Sequence, residues 1–584
     1  MNIEQVLANI FDSESEAIDS VSLDDTSLLE VELEEFSEEE IELVDDDNTF
    51  SMVRSETMTL SNVETSSSCN HLVSNEVDNL MFNKKKDFVW HSQPQHNSSE
   101  GLITRTSLTD KSIGCKSMLD FFDILIDSKI LNKICEYTNK KITDDEPLSE
   151  IELRAYFGLL LMLGVTKKRS VDVSEIWSYD SVHHLDFANA CMTRKRFQLI
   201  SAKITFDDIS TRSYRIKDKF SKFSEIFNIF QDNNSGLVNP GNNLCVDEQL
   251  YSFRGRCNFK QYMPSKPGKY GIKYWSIVDV ETSIVLKSSV YLGKVTEARQ
   301  TNVGENVVLN LASSYFNSSV KRTITADNFF SSINLIKTLY DKNILYCGTL
   351  RKNKSEIPVD FLVSKNKEVN LSSFGFNNYI SICSFIPKKN RTVILISSRH
   401  HQKDIDESSK KPLCIGYYNA NKGGVDTVDH LIENFTCRRA TKRWTYNAMM
   451  YLLDLAAHNS YCMFKLLNPA LYHNRRARRI NLENISKKLM DPLIKHRVET
   501  IGKDPNGYHS NLIESMKRVG YPVSKKRANT DTIPSNNQRK RCFSCPREKD
   551  AKVSKTCSVC NRFVCKVHSK ELNTKYCNEC IYND

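Results

Sequence analysis

At 584 residues, with 40% hydrophobic side chains and aromatics spread along its length, the chain is too long for one core and should hold three or four domains. No apolar run reaches the ~18 residues of a membrane span, the longest being YFGLLLMLGV at 156–165, and MNIEQVLANIFDSES at the start lacks the basic and apolar regions of a secretory signal, so the chain reads as soluble and intracellular. Its net charge of +8 hides an asymmetry: residues 1–50 hold 18 of the 72 acidic side chains and no Lys or Arg, which leaves +26 on residues 51–584, the footprint of a polyanion binder.

Residues 1–100 are acidic, then Ser/Asn-rich, without sustained periodicity, and read as a disordered N-terminal region that either binds partners or masks the basic body. From 101 to 240 the pattern is helical. Met118, Leu119, Phe122, Leu125 and Ile126 share one face of a helix after Ser117. Ser149 and Glu152 stand at capping-box spacing before a second helix, and MTRKRFQLISAKITFDD opens a third at Thr193 with a basic face.

After the turn-rich NNSGLVNPGNN at 233–243, the texture becomes strand-like. LCVDEQLYSF predicts a strand ending near Asp247, and KYWSIVDVETSIVLKSSVYLG predicts two strands joined by a turn near Glu281 and Thr282. KRTITADNFF predicts a strand that delivers Asp327, with a helix after it and a further strand in ILYCGTLRKNK. Residues 355–412 carry short strand-like runs between polar loops. The chain then reaches Gly423-Gly424, Asp426 and Asp429, a basic run (Arg438, Arg439, Lys442, Arg443), and a long apolar helix beyond Trp444. A helix from Val425 sets Asp426 and Asp429 on one face. Residues 516–541 form a polar, basic linker with SKKR and RKR clusters of nuclear-localisation or nucleic-acid type.

Three aspartates, Asp247, Asp327 and Asp426, each close an apolar run that precedes a turn or helix, and each has basic residues nearby. Paired carboxylates beside dense positive charge suit a hard divalent metal acting on a phosphodiester. The alternative for any one of them is an ordinary helix-start or turn acid. Taken together, VDEQLYSFRGRC, MPSKPGKYGIKYW, YLG, TADNFFSS, GTLRKNK and NKGGVDTVDH resemble, in order and at comparable separations, the piggyBac family of cut-and-paste DNA transposases from about Ser117 onward.

That resemblance implies an α+β multidomain architecture. It places an RNase H-like catalytic core at 241–354 and 413–435, interrupted by a mostly β insertion at 355–412. A split helical dimerisation and DNA-binding domain falls at 101–240 and 436–515, the linker at 516–541 and a cysteine-rich domain at 542–584. Asp247, Asp327 and Asp426 match the family's catalytic aspartates and Asp429 an additional one, together binding two Mg²⁺ (or Mn²⁺) ions. Glu248 and Asp279 are set aside, the first for pointing to the other face of a strand and the second as a solvated acid by a turn. Arg254, Arg256, Lys266, Lys269, Lys273, Arg351, Lys354, Arg438, Arg439 and Arg443 are expected to position DNA phosphates. Trp444 matches a family Trp that stacks on an unpaired base, with helix packing as its alternative.

Seven of the 18 cysteines lie in the last 43 residues. Cys542 and Cys545, Cys557 and Cys560, Cys565 and His568, and Cys577 and Cys580 make four pairs of soft ligands, enough for two closed tetrahedral zinc sites. A cross-brace joins Cys542, Cys545, Cys565 and His568 at one ion and Cys557, Cys560, Cys577 and Cys580 at the other; a sequential pairing uses the same residues. The ligand order agrees with the piggyBac cysteine-rich domain, which in the family binds the transposon's end repeats.

The resemblance implies a nuclear, homodimeric enzyme acting on double-stranded DNA. It nicks each transposon end, lets the freed 3′-hydroxyl attack the opposite strand to form a hairpin, and joins the reopened end at TTAA. Two rivals stay open: a domesticated DNA-binding protein acting in transcription or chromatin, and a tail serving as an E3-like or chromatin-reading module.

Overall fold

The computed structural model describes residues 79–95, 103–143, 145–293, 302–362, 367–503, 508–523, 540–546, 548–549, 552–555 and 562–569. The acidic residues 1–50 and the SKKR cluster at 524–527 lie outside the described residues.

Helices α1 (Met118–Leu125), α2 (Ser128–Asn139) and α3 (Glu150–Val165) start where side chains can accept from otherwise unpaired N–H groups. Ser117 accepts from Asp120, Asp127 from Ile130 and Ser149 from Glu152. The Glu152 carboxylate does not complete a capping box; it binds the Arg196 guanidinium at 2.6 and 2.7 Å on α4 (Arg194–Lys203). Helix α5 (Ser224–Asn234) leads into the sheet.

A large mixed sheet runs through the chain. Its centre consists of β5 (Asn243–Ser252), β7 (Tyr270–Asp279), β8 (Val285–Val290), β9 (Arg322–Ala326) and β10 (Ile344–Thr349). Strands β5, β9 and β10 run parallel, while β7 and β8 fold back as antiparallel hairpins. β6 is the short Gln261–Tyr262 strand. The expected turn between β7 and β8 is present, but Asp279 there is buried. It accepts from Thr282, Gly241 and Thr106, and so ties the hairpin to the strand before β5.

Within 355–412, β11 (Ser372–Asn377), β12 (Ile380–Lys388) and β13 (Arg391–Ser397) form a meander whose last strand pairs with β10, so these residues extend the central sheet. Residues 79–95 depart from the disordered reading of 1–100. β1 (Leu80–Phe82) and β2 (Val89–His91) make a hairpin whose Trp90 is fully buried and donates Nε1–H to the Glu356 carbonyl at 2.8 Å. Phe376 of β11 pairs with His91. The order of this hairpin comes from a partner nearly 300 residues away, which local composition does not report. Two residues of β3 (Ser107–Leu108) similarly pair with β4 (Val238–Asn239).

After α6 (Gly424–Glu433), helix α7 (Trp444–Leu467) is buried from Tyr446 to Met463, and α8 (Ala477–Lys503) crosses α3. At that crossing a Cβ on Gly158 would lie 2.8 Å from Leu489 Cβ and from the Ser486 carbonyl, so only glycine lets the two backbones approach. No helix among the described residues is long and apolar enough to cross a membrane.

The long α7 is less apolar than its sequence implies. Asn447, Tyr451, Asp454 and His458, spaced 4-3-4, form one stripe bonded to Ser252 O, Gln249 Oε1, Tyr251 and Ser283 O. Asp454 also accepts from the Cys437 N–H at 2.8 Å and from the Thr436 hydroxyl, so one carboxylate joins α7, the end of β5 and the segment after α6. Removing it strands three buried donors. Asp454→Ala is therefore expected to destabilise the chain by about 3–5 kcal/mol, read from the denaturant midpoint, with Asp454→Asn costing less.

Candidate active site

β5 and β9 are in parallel register with Val246 beside Ala326. That register brings Asp247, within β5, level with Asp327, the first residue past the end of β9, across a strand spacing of roughly 4.8 Å. Asp247 lies in the middle of β5, not near its end as the sequence reading had it, because β5 continues to Ser252 in pairing with β7. It is the parallel partner that stops at this level.

Alternate residues of β5 meet α6. Gly424 packs on Cys245, where a Cβ would come within 2.8 Å of the Cys245 Cβ, and the Gln249 amide donates to Asp429 Oδ1 at 2.8 Å. Asp247 lies between them on the same strand face, with Asp426 and Asp429 across on the helix. Gln249 is in turn held by the Ser276 and Tyr451 hydroxyls. Sequence reasoning missed Gln249 and the α7 stripe; the one available signal was a set of polar residues at helical spacing inside an apolar segment.

The carboxylates crowd one another electrostatically. Burial, then the charges of Glu248, Asp327 and Asp426, push Asp247 well above the usual carboxylate range. Burial and then Glu248 raise Asp327 to about 6, against the Phe329 N–H that donates to it and the cations Arg351 and Lys273. Burial raises Asp429 to about 7, although Lys266 and Gln249 oppose the shift. Glu248, set aside on strand alternation, is thus close enough to act on two of the acids.

The sign of the pH dependence follows. With native values near 6 and 7 against an ordinary ~3.9, the folded chain holds protons between about pH 4 and 7 that the unfolded chain has released, so stability falls as pH rises through that window. Without divalent cation the thermal midpoint is expected to be lower at pH 8 than at pH 5. Hard divalent cations need the ionised carboxylates, so their stabilisation should grow over the same interval; thermal scans with and without Mg²⁺ check both slopes.

Two lysines expected to contact phosphates sit among the acids instead. Lys266 Nζ lies 2.7 Å from Asp426 Oδ1 and 3.9 Å from Asp429 Oδ2, and Lys273 Nζ lies 3.7 Å from Glu248 Oε2. Among the described residues, the only group of three or more Cys, His, Asp or Glu whose ligand atoms all lie within 4.8 Å of one another is at the C-terminus. No three of the four aspartates bring their ligand atoms mutually within that distance, and the Lys266 ammonium lies beside two of them. All-oxygen donors that repel one another fit a hard divalent cation.

Of the other expected phosphate contacts, Arg254, Arg256, Lys269 and Arg351 are exposed and Lys354 is half-buried. The Arg351 Nε donates to Asn328 beside Asp327. Three arginines are committed to the fold. Arg439 donates to the Lys168 and Val171 carbonyls, Arg443 to the carbonyls of Ser201, Ala202 and Ile204 at the end of α4, and Arg438 pairs with Glu433 at 3.0 Å. Trp444 is half-buried, stacked on Phe220 and edge-on to Phe259, the packing alternative for this residue.

The C-terminal group is a second site. Cys545 Sγ is 3.7 Å from Cys565 Sγ, and His568 Nδ1 is 3.3, 3.4 and 3.8 Å from Cys565, Cys545 and Cys542. A tetrahedron with ~2.3 Å metal–sulfur bonds has sulfur–sulfur edges of roughly 3.8 Å, so the four atoms enclose a space of zinc's size with the soft donors zinc takes. The grouping is that of the cross-brace for this ion. Cys557, Cys560, Cys577 and Cys580 lie outside the described residues.

The chain is also similar to known proteins. The profile of the family described as Transposase IS4 matches residues 117–461. The human PiggyBac transposable element-derived protein 3 is 23% identical over 368 residues, 59% of this chain and 61% of that protein. The human Chimeric ERCC6-PGBD3 protein matches over the same extent, 34% of its own length, so the chain spans less than two thirds of either relative. Among solved structures, the cryo-EM structure of the piggyBac transposase synaptic complex with hairpin DNA superposes with a TM-score of 0.69 at 28% identity, covering 80% of this chain and 98% of that one.

Proposed function

Since the chain belongs to the Transposase IS4 family in its piggyBac form, we propose that it is a cut-and-paste DNA transposase whose catalytic aspartates are Asp247, Asp327 and Asp426, with Asp429 beside them. The observation that carries this reading is the placement of Asp247 in β5 level with Asp327 just past the end of its parallel neighbour β9, with Asp426 and Asp429 across from Asp247 on α6. The strand order β8-β7-β5-β9-β10, with its parallel triplet, supports reading the centre of the sheet as an RNase H-like core.

Those four carboxylates would hold two Mg²⁺ or Mn²⁺ ions, which when bound activate an attacking oxygen and stabilise the leaving one. Asp247 and Asp327 fix the floor of the site through the sheet register, and Gln249 orients Asp429. Exposed Arg254, Arg256, Lys269 and Arg351 lie where a DNA backbone could approach, and contacts of that kind position phosphates without reading sequence. The Cys542/Cys545/Cys565/His568 module, closed by structural zinc, would grip the element's end repeats. Cleavage through hairpin ends, joining at TTAA, homodimerisation through the helical part and nuclear residence complete the reading.

A DNA-binding protein without cutting activity is the second reading, favoured by the element-derived name of the human relative. Incubation of the purified full chain with duplexes carrying the inverted repeats that flank its gene distinguishes them. With Mg²⁺, hairpin-ended product on a denaturing gel is expected. Tight binding of the repeats with no strand scission in Mg²⁺ or Mn²⁺ would establish the second reading.

A further inference from the structure

Lys266 belongs to the loop between β6 and β7, and its backbone is engaged at both ends: its N–H donates to the Met263 carbonyl at 3.2 Å, and its carbonyl accepts from Lys269 at 2.9 Å. Pro267 follows it, and Lys269 takes a left-handed φ of +54° that closes the turn. This turn delivers the side chain toward the aspartates of α6. The ammonium ends 2.7 Å from Asp426 and 3.9 Å from Asp429, with only 18% of the side chain exposed. The other cations near the cluster approach from elsewhere: Lys273 pairs with Glu248, and Arg351 leans on Asn328 and the Phe329 ring.

We infer that Lys266 is the resident counter-cation of the aspartate cluster and competes with divalent metal for Asp426 and Asp429. This inference rests on reading the acids as a metal site. A divalent ion bound at the ~2 Å carboxylate distance of Mg²⁺ would come within roughly 4 Å of the ammonium as it now stands, where like charges repel strongly in a partly buried setting. The four-carbon stem of lysine lets the head group leave without moving the turn. In the metal-free protein Lys266 holds repelling carboxylates together; on loading it must give way, so metal affinity is set partly by this one side chain.

The test is calorimetric titration of the zinc-loaded full chain with Ca²⁺, a hard cation that prefers oxygen to the thiolates of the C-terminal module. Lys266→Met should tighten Ca²⁺ binding roughly tenfold or more, Lys266→Arg should bind about as weakly as wild type, and Lys269→Met, in the same turn but exposed, should change affinity by less than about twofold. Without divalent cation Lys266→Met should melt earlier than wild type, and Ca²⁺ should restore it. If the Met variant does not fold, Lys266→Gln takes its place in the same titration. Wild-type protein that binds Ca²⁺ while Lys266→Met or Lys266→Gln binds it equally or more weakly overturns the inference. Wild-type protein that takes up no Ca²⁺ at millimolar concentration instead removes the metal-site reading on which it rests.

Discussion

Asp247→Asn is expected to reduce strand cleavage by about a thousandfold or more while leaving the metal-free protein as stable as wild type, or more so. The rate effect follows from the role: an amide of the same shape keeps an oxygen but loses the charge that a metal ligand needs, and single knockouts in a catalytic unit cost nearly as much as removing the unit. The stability effect follows from the environment. Asp247 is desolvated and faces Glu248, Asp327 and Asp426, so its ionised form is disfavoured in the folded state. Neutralising it relieves that repulsion, a trade between activity and stability common at functional sites. Asp327→Asn should behave alike. Asp426→Asn should abolish cleavage and lower the metal-free thermal midpoint only slightly, because it removes one partner of the Lys266 ammonium at a side chain that is 62% exposed while Asp429 remains. Gel analysis of hairpin product alongside thermal scans measures both. Equal product from Asp247→Asn and wild type would remove Asp247 from the catalytic set.

The segments that bring Asp247, Asp327, Asp426 and Asp429 near one another were legible in the sequence because the neighbours of each are also constrained. Gly424, two residues before Asp426, reflects close packing on Cys245, and the strand before Asp327 is fully buried around Ile324 and Ala326. What sequence could not supply was the destination of long, polar side chains. Arg438, Arg439 and Arg443 form a basic run of the kind that binds phosphates, yet Arg439 and Arg443 satisfy carbonyls and Arg438 an acid of the protein itself. Lys266 likewise reads as a loop cation and ends inside the site. A guanidinium donates equally well to a phosphate and to a backbone carbonyl, so charge patterning cannot separate them; only the fold brings the competing acceptor near. Residues 79–95 mark the same limit for secondary structure, since β2 becomes a strand by pairing with β11, and β1 by pairing with β2.

With zinc at Cys542, Cys545, Cys565 and His568, the cysteine-rich tail would depend on its metal more than any other described part of the chain depends on a single contact. Among the described residues the tail contributes only two-residue strands, Lys540–Arg541 and Lys552–Val553, and a single turn at Lys566–His568. Such pieces bury too little to fold alone, whereas structural zinc contributes on the order of 10 kcal/mol in comparable modules. Cys565→Ala should therefore release one zinc, unfold this module and lower affinity for the end repeats toward the non-specific level, roughly a thousandfold. The thermal transition of the catalytic part should not move. Chromophoric chelator release counts the zinc, and a binding titration against repeat and scrambled duplexes reads the specificity. The pairing can be separated as well. Under the cross-brace, Cys557→Ala should release a single zinc and leave the ion at Cys542, Cys545, Cys565 and His568 in place, with its amide resonances intact. Under a sequential pairing the same change would loosen Cys542 and Cys545, and the short sulfur and imidazole distances that join them to Cys565 and His568 would have no ion to maintain them.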